Sequence, residues 1–158
     1  MELIESTGVV SPLLVRTHRG DTVNLFEPGK PSVLVFVPAA FTPVCGSEVR
    51  ELAELHEFAQ RLGVRLLVIS CDTAATLRAW LGQIDPAGEL IGLSDHWPHG
   101  LVARRFAAFD EVAGTALRRS FAITAAGAVK QVAASAAGVS RSRHDHERGV
   151  RIAADAAN

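Results

Sequence analysis

Apolar positions along the chain recur with two different periods, and the switching between them predicts a layered fold. Residues 32–37, Ser-Val-Leu-Val-Phe-Val, follow Pro31, are apolar on both faces and stop at Pro38, the pattern of a strand buried inside a sheet. From Cys45 to Leu62 the apolar residues Val49, Leu52, Leu55, Phe58 and Leu62 return every three or four positions. That spacing predicts one helix with a buried stripe, starting near Val44 and ended by Gly63. Residues 64–70 form a second apolar strand, after which Asp72 or Thr73 is placed to cap a helix reaching about Leu81, ahead of Pro86. Strand, helix, strand, helix implies parallel pairing. Further on, residues 90–93 read as a short strand and residues 98–106 as a helix with proline near its first turn. Residues 120–124 form a strand that Ala126-Gly127 turns into residues 129–133. At the two ends, residues 13–25 alternate around Arg19-Gly20-Asp21 as an opening hairpin, and a helix runs from about Ser142 to Ala156 with Gly149 a weak point inside it. The fold class is α/β: a mixed central β-sheet flanked by helices, with an N-terminal β-hairpin, in one domain over residues 1–158.

Composition narrows the function classes. With 158 residues, 48% of them apolar and 21% charged, the chain can bury a core without disulfide staples. Sixteen Lys and Arg against seventeen Asp and Glu leave a net charge of -1, so the field that would collect nucleic acid is missing and no nucleic-acid partner is expected. The longest apolar stretch, residues 32–41, is about half a membrane span and is broken by Pro38, so no membrane partner is expected. The start, Met-Glu-Leu-Ile-Glu-Ser, carries acid where a signal peptide carries base, which predicts a cytoplasmic address. Two cysteines, Cys45 and Cys71, cannot form a disulfide scaffold; in a reducing compartment each is packed, metal-bound or reactive.

Chemistry concentrates between Pro38 and Glu48, where the buried strand meets the amphipathic helix. Pro38 and Pro43 restrict φ and disfavour helix in the residues before them, which stiffens the loop and places Cys45 in the first helical turn. There, unpaired N–H groups and the positive end of the helix dipole favour negative charge on sulfur. An ordinary thiol of pKa about 8.5 is about 3% ionised at pH 7, so complete ionisation gains only about thirtyfold. A fast cysteine enzyme therefore also needs donors that position substrate and stabilise the leaving oxygen. Thr42, one turn before Cys45, and a nearby arginine are the candidates.

Pro38, Thr42 and Cys45 reproduce the P-x-x-x-T-x-x-C signature of peroxiredoxins, with Glu48 at the further acidic position common there. The strand before it and Ile69-Ser70-Cys71-Asp72 match the same family. Leu93-Ser94-Asp95-His96-Trp97-Pro98-His99-Gly100 and Leu117-Arg118-Arg119-Ser120-Phe121 are similar to the one-cysteine peroxiredoxins of the alkyl hydroperoxide reductase E type. The resemblance covers about residues 5 to 135 and implies a thioredoxin-like fold and reduction of hydroperoxides through a sulfenic acid on Cys45. Thr42 would hydrogen-bond the sulfur and peroxide oxygens, Pro38 would shield the sulfur from water, and Arg118 would support the charge. Glu48 would orient an arginine without touching peroxide. Arg119, which replaces a small residue usual in the family, points the other way on a strand. The resemblance further implies a homodimer and allows larger rings.

The chain departs from self-resolving peroxiredoxins: Arg50 stands five residues after Cys45, and no cysteine follows Cys71. The expected reductant is an external small thiol or dithiol redoxin, with no cofactor and no metal. Cys71 reads as a packed residue at a strand end. A thiol-disulfide oxidoreductase on the same fold would need a second cysteine three residues on, where Glu48 stands. A redox sensor in which Cys45 oxidation changes a partner surface shares the first chemical step. His144-Asp145-His146-Glu147 reads as solvated surface, because i,i+2 rings on a helix turn apart and cannot share a metal. Arg104-Arg105 and the arginines from 141 to 151 read as solvated faces balanced by nearby acids. Trp97 and His99 read as packing and capping at a helix start, the alternative being a lining for the peroxide pocket or a subunit contact.

Overall fold

A computed structural model describes residues 10–155. The hairpin forms from β1 (Leu14–Thr17) and β2 (Thr22–Asn24), with Gly20 at φ 98° in its turn. Next come β3 (Ser32–Phe36), α1 (Pro43–Ala53), α2 (His56–Arg61), β4 (Arg65–Ser70), α3 (Ala74–Ile84), β5 (Ile91–Ser94) and α4 (Leu101–Arg105). A two-stranded ribbon follows, β6 (Phe109–Asp110) with β7 (Thr115–Ala116), and the chain closes with β8 (Arg119–Ile123), β9 (Val129–Ala134) and α5 (Arg143–Ala154). The main sheet has seven strands in the order β2-β1-β5-β4-β3-β8-β9. Pairs β3/β4 and β4/β5 are parallel, whereas the hairpins at both edges and the β3/β8 pair are antiparallel, so the sheet is mixed.

Alternation along β3 divides the core into two layers. Val33, Val35 and Val37 face a layer built with Cys45, Val49 and Leu52 of α1, Leu77 and Trp80 of α3, and Val150 of α5. Leu34 and Phe36 face the other, where Val102 and Ala103 of α4 meet Phe106 and Phe121. The rings of Phe36, Phe106 and Phe121 stand 5.1 to 5.9 Å apart in tilted and edge-on contacts. Both faces of β3 are covered, which is why all five of its residues are buried.

Several elements differ from the sequence reading. The single helix over 45–62 is two helices, α1 and α2, joined by a tight turn in which Leu55 N–H donates to the Leu52 carbonyl at 3.0 Å. Val49, Leu52, Leu55 and Phe58 recur every three residues, short of the 3.6 a straight α-helix needs; the tightened turn keeps Leu55 in the core, while Leu62 leaves the buried stripe. Asp72 is not the helix cap: Thr73 is, its hydroxyl accepting from Thr76 N–H, and α3 runs three residues past Leu81. The helix read over 98–106 is only α4, because Gly100 sits at φ 71° as its N-cap. The Asp95 carboxylate, buried in front of this short helix, accepts from the N–H groups of Val102 and Ala103 at 2.9 Å each. Gly149 is a close-approach site rather than a weak point, since a Cβ there would lie 3.0 Å from Val132 Cγ2. The sequence reading missed β6 and β7, two residues each. Residues 1–6, read for a leader, and Ala156, read as the end of the last helix, lie outside the described residues.

Candidate active site

The loop that carries the candidate residues hangs from the parallel centre of the sheet. Val37 N–H donates to the Ile69 carbonyl at 2.9 Å, extending the β3/β4 ladder to the edge of Pro38. Beyond Pro38 the ladder gives way to a side chain: Asp72, at the end of β4, accepts Ala40 N–H at 2.8 Å and the Ser70 hydroxyl at 2.7 Å through one carboxylate oxygen. Phe41 follows at φ 62°, a conformation that costs a non-glycine residue on the order of 1 kcal/mol, with its ring half exposed. Thr42 is the extended N-cap of α1 and Pro43 its first residue, where the missing N–H is no loss. Cys45 is thereby set in the first turn, fully buried. The Thr42 hydroxyl lies on the Ala39 carbonyl at 3.0 Å and makes no cap bond to the helix.

Charge is gathered around the sulfur from three distant parts of the chain. Arg118, just ahead of β8, places Nη2 3.1 Å from Cys45 Sγ and Nη1 2.8 Å from Glu48 Oε1. Glu48 lies three residues after Cys45 on the same helix and is buried. Its two oxygens also receive Arg141: Nη2 donates to Oε1 at 2.7 Å, Nε donates to Oε2 at 2.9 Å, and the Arg141 backbone N–H joins them. Burial opposes the Glu48 charge, but the hydrogen bonds and charge of Arg141, with Arg118 behind them, outweigh it and hold the carboxyl below the ordinary range. Arg119 turns away and donates to the Ala107 carbonyl.

Arg141 was expected on a solvated face and is instead buried against Glu48; only its neighbours Arg143, Arg148 and Arg151 pair with acids at the surface. His146 corrects the sequence reading in the same way. It is buried, with Nε2 2.8 Å from Ser120 Oγ, and that oxygen also accepts Arg141 Nη1 at 3.0 Å. Ser120 Oγ thus joins His146 and Arg141 in one buried polar cluster. Burial first, then the Arg141 charge, lowers the His146 pKa from 6.5 to about 4. Because the folded ring binds its proton more weakly than the unfolded one, acidification from pH 6.5 to 4 favours unfolding. The expected loss is about 3 kcal/mol across that window in denaturant titrations. In His146→Gln the same span of the curve should flatten; an unchanged slope would assign the loss to another group. The signal missed in the sequence was the three-to-four-residue recurrence of His146, Gly149, Val150 and Ala153, the inward face of α5.

Cys71 lies apart from Cys45. Cys45 packs in the layer beneath α1 and α3, whereas the Cys71 sulfur is influenced by Asp95, Arg104 and the backbone of Ala116, which belong to the opposite side of the sheet. Burial, then the charges of Asp95 and Asp72, push the Cys71 thiol up to about 11, so it stays protonated at neutral pH. Trp97 is 84% exposed and borders a cavity shared with Thr73 and Ala74 at the start of α3, while His99 Nε2 reaches the Gly114 carbonyl at 2.7 Å. Among the described residues no helix is long and apolar enough to cross a membrane.

A buried sulfur held by one guanidinium, which is itself fixed by a carboxylate and a second guanidinium, is a site for negative charge that develops on sulfur and on an adjacent oxygen. Known proteins share the framework. The AhpC/TSA family profile matches residues 13–132. Alkyl hydroperoxide reductase C of Escherichia coli (strain K12) is 31% identical over 125 residues, which cover 79% of this chain and 67% of that protein. The Staphylococcus aureus (strain NCTC 8325 / PS 47) protein of the same name is 33% identical over 113 residues, 72% of this chain and 60% of that one. Among solved structures, Enterococcus faecalis AhpC superposes with a TM-score of 0.84 at 25% identity, covering 96% of this chain and 92% of that one. Peroxidoxin BcpB from Mycobacterium tuberculosis, at 22% identity and a TM-score of 0.75, covers 94% and 97% and shares the fold. The fold is thus thioredoxin-like, and the breadth of the sequence match makes this chain a member of the AhpC/TSA family: it is a peroxiredoxin, a thiol-dependent peroxidase.

Proposed function

We infer that the chain is a one-cysteine peroxiredoxin that reduces hydrogen peroxide and organic hydroperoxides on Cys45 and is recycled by an external thiol or redoxin. The observation that carries this reading is Arg118. One of its nitrogens is on the Cys45 sulfur, while its Nε, buried, has no hydrogen-bond partner. A buried donor without a partner is costly, and a peroxide oxygen lying beside the sulfur would satisfy it. In this mechanism the Cys45 thiolate attacks the terminal oxygen of the hydroperoxide. The S–O bond forms as the O–O bond breaks, the sulfur becomes a sulfenic acid, and the leaving oxygen takes up a proton as alcohol or water. Arg118 stabilises charge on both the attacking sulfur and the leaving oxygen, and Glu48 with Arg141 keeps it aimed. With its proton on the Ala39 carbonyl, the Thr42 hydroxyl is left to accept, so it receives the O–H of the hydroperoxide. Pro38, at the strand end, shields the sulfur from water in this reading.

Stopped-flow mixing of reduced protein with hydrogen peroxide and with an alkyl hydroperoxide tests the reading. Stoichiometric sulfenic acid on Cys45, found by trapping and mass spectrometry, is the expected product. Arg118→Ala should slow its formation about a hundredfold or more, the size of effect seen when one preorganised donor is lost, with Arg118→Lys in between. Reaction of the unaltered protein at the rate of an ordinary free thiol would overturn the assignment and favour the sensor.

A further inference from the structure

A cavity of about 270 Å³ opens between α1 and α3, next to Cys45 but turned away from Arg118. Thr42, Gly46 and Arg50 line it at four-residue spacing along α1, whereas Cys45 and Glu48, three residues apart, turn toward Arg118. Buried Trp80 and Ile84 of α3 form an apolar floor, and the half-exposed ring of Phe41 forms one rim. Besides Thr42, two polar side chains, Arg50 and Gln83, border the space, and neither of these two makes a side-chain hydrogen bond or ion pair among the described residues. No acidic residue lines it. The cavity is thus apolar at the base, cationic at one end and next to the cysteine at the other.

We propose that the cavity between α1 and α3 binds the recycling reductant, a low-molecular-weight thiol carrying a carboxylate that Arg50 holds. The assignment rests on the sulfenic acid reading of Cys45. A carboxylate pairs with the unpaired guanidinium, a short methylene stem lies on Trp80 and Ile84, and the thiol is directed at the Thr42–Gly46 edge. The space accepts a small thiol acid or a short thiol peptide and excludes a folded redoxin, which would have to bind outside it. In the first step the thiol sulfur attacks the Cys45 sulfenic sulfur: an S–S bond forms, the S–O bond breaks, and hydroxide leaves with the thiol proton as water. A second thiol molecule attacks the small-thiol sulfur of that mixed disulfide, leaving as a free disulfide and returning reduced Cys45. The balance is two thiols oxidised for one sulfenic acid reduced. Cys45 is buried, so its sulfur meets the cavity when the first turn of α1 loosens. That turn is lightly held, because Thr42 gives it no side-chain cap and Pro43 has no N–H.

The test separates the two chemical steps. Protein oxidised with one equivalent of hydrogen peroxide is mixed with 3-mercaptopropionate, 2-mercaptoethanol or cysteamine, and loss of the Cys45 sulfenic acid is followed per thiolate present. About tenfold faster recycling by the carboxylate thiol than by the neutral one is expected, with the amine thiol slowest. In Arg50→Ala the preference should vanish, in Arg50→Lys it should persist, and in Arg50→Glu cysteamine should lead. Equal rates for the three thiols in the unaltered protein, or a carboxylate preference that survives Arg50→Ala, overturns the assignment of the cavity while leaving the peroxide step standing. Failure of the unaltered protein to form the sulfenic acid removes the underlying reading, and this proposal with it.

Discussion

Cys45→Ser protein should consume neither hydrogen peroxide nor alkyl hydroperoxide above background, a fall on the order of a thousandfold or more, because a hydroxyl in place of the thiol removes the nucleophile. The fold should survive, since serine is smaller than cysteine and its hydroxyl can accept the Arg118 Nη2 hydrogen bond that the sulfur receives. Cys71→Ser supplies the contrast. That thiol is buried on the other side of the sheet and protonated at neutral pH, so peroxide consumption with an excess of thiol should continue at close to the original rate. Coupled thiol-oxidation assays on the two variants decide the matter, and retention of activity in Cys45→Ser would move the chemistry elsewhere.

The second large effect is on stability. Glu48 stands between two buried guanidiniums, 2.8 Å from one and 2.7 Å from the other. Replacing it with Gln keeps the shape and removes the one carboxylate that, among the described residues, pairs with both guanidiniums. Breaking a buried pair from one side costs about 3–5 kcal/mol, because the partner charge stays behind unpaired, and here two stay behind. Against a total stability of about 5–15 kcal/mol that is a severe loss, and the Tm should drop by about 10 °C or more. The sign of the pH response follows from the lowered Glu48 pKa: its stabilising share is full above the ordinary carboxyl range and declines as acid reaches the carboxylate. Thermal melts of Glu48→Gln at pH 7 that match the unaltered protein would show that the arginines are solvated in solution.

Much of the architecture was legible in the chain because the central strands are buried on both faces and their apolar runs have no competing reading, as at β3. The proposed site was legible for a different reason: Pro38, Thr42 and Cys45 stand at the end of a strand and in the first turn of a helix, positions that the spacing encodes. What escaped was long-range. Arg141 and Glu48 are ninety-three positions apart, and nothing in a run of arginines beside acids marks the one that will be buried. His146 was hidden by polar neighbours on both sides, although the four-residue step to Val150 placed it on the inner face of α5. The break between α1 and α2 was visible only in the arithmetic of three-residue steps, which a count of apolar positions passes over.

The attachment of Glu48 to two arginines also divides α1 in the time domain. Gly46 N–H is held by the Thr42 carbonyl at 2.9 Å in a turn without a side-chain cap, so its exchange with solvent needs only fraying at the helix end. Two residues later, moving the backbone at Glu48 means pulling a carboxylate from two guanidiniums anchored outside α1, a far costlier opening. The sulfur of Cys45 sits between these regimes, on the uncapped turn but within three residues of the doubly anchored carboxylate, so an opening of that turn stays hinged at Glu48 and closes back in the same register.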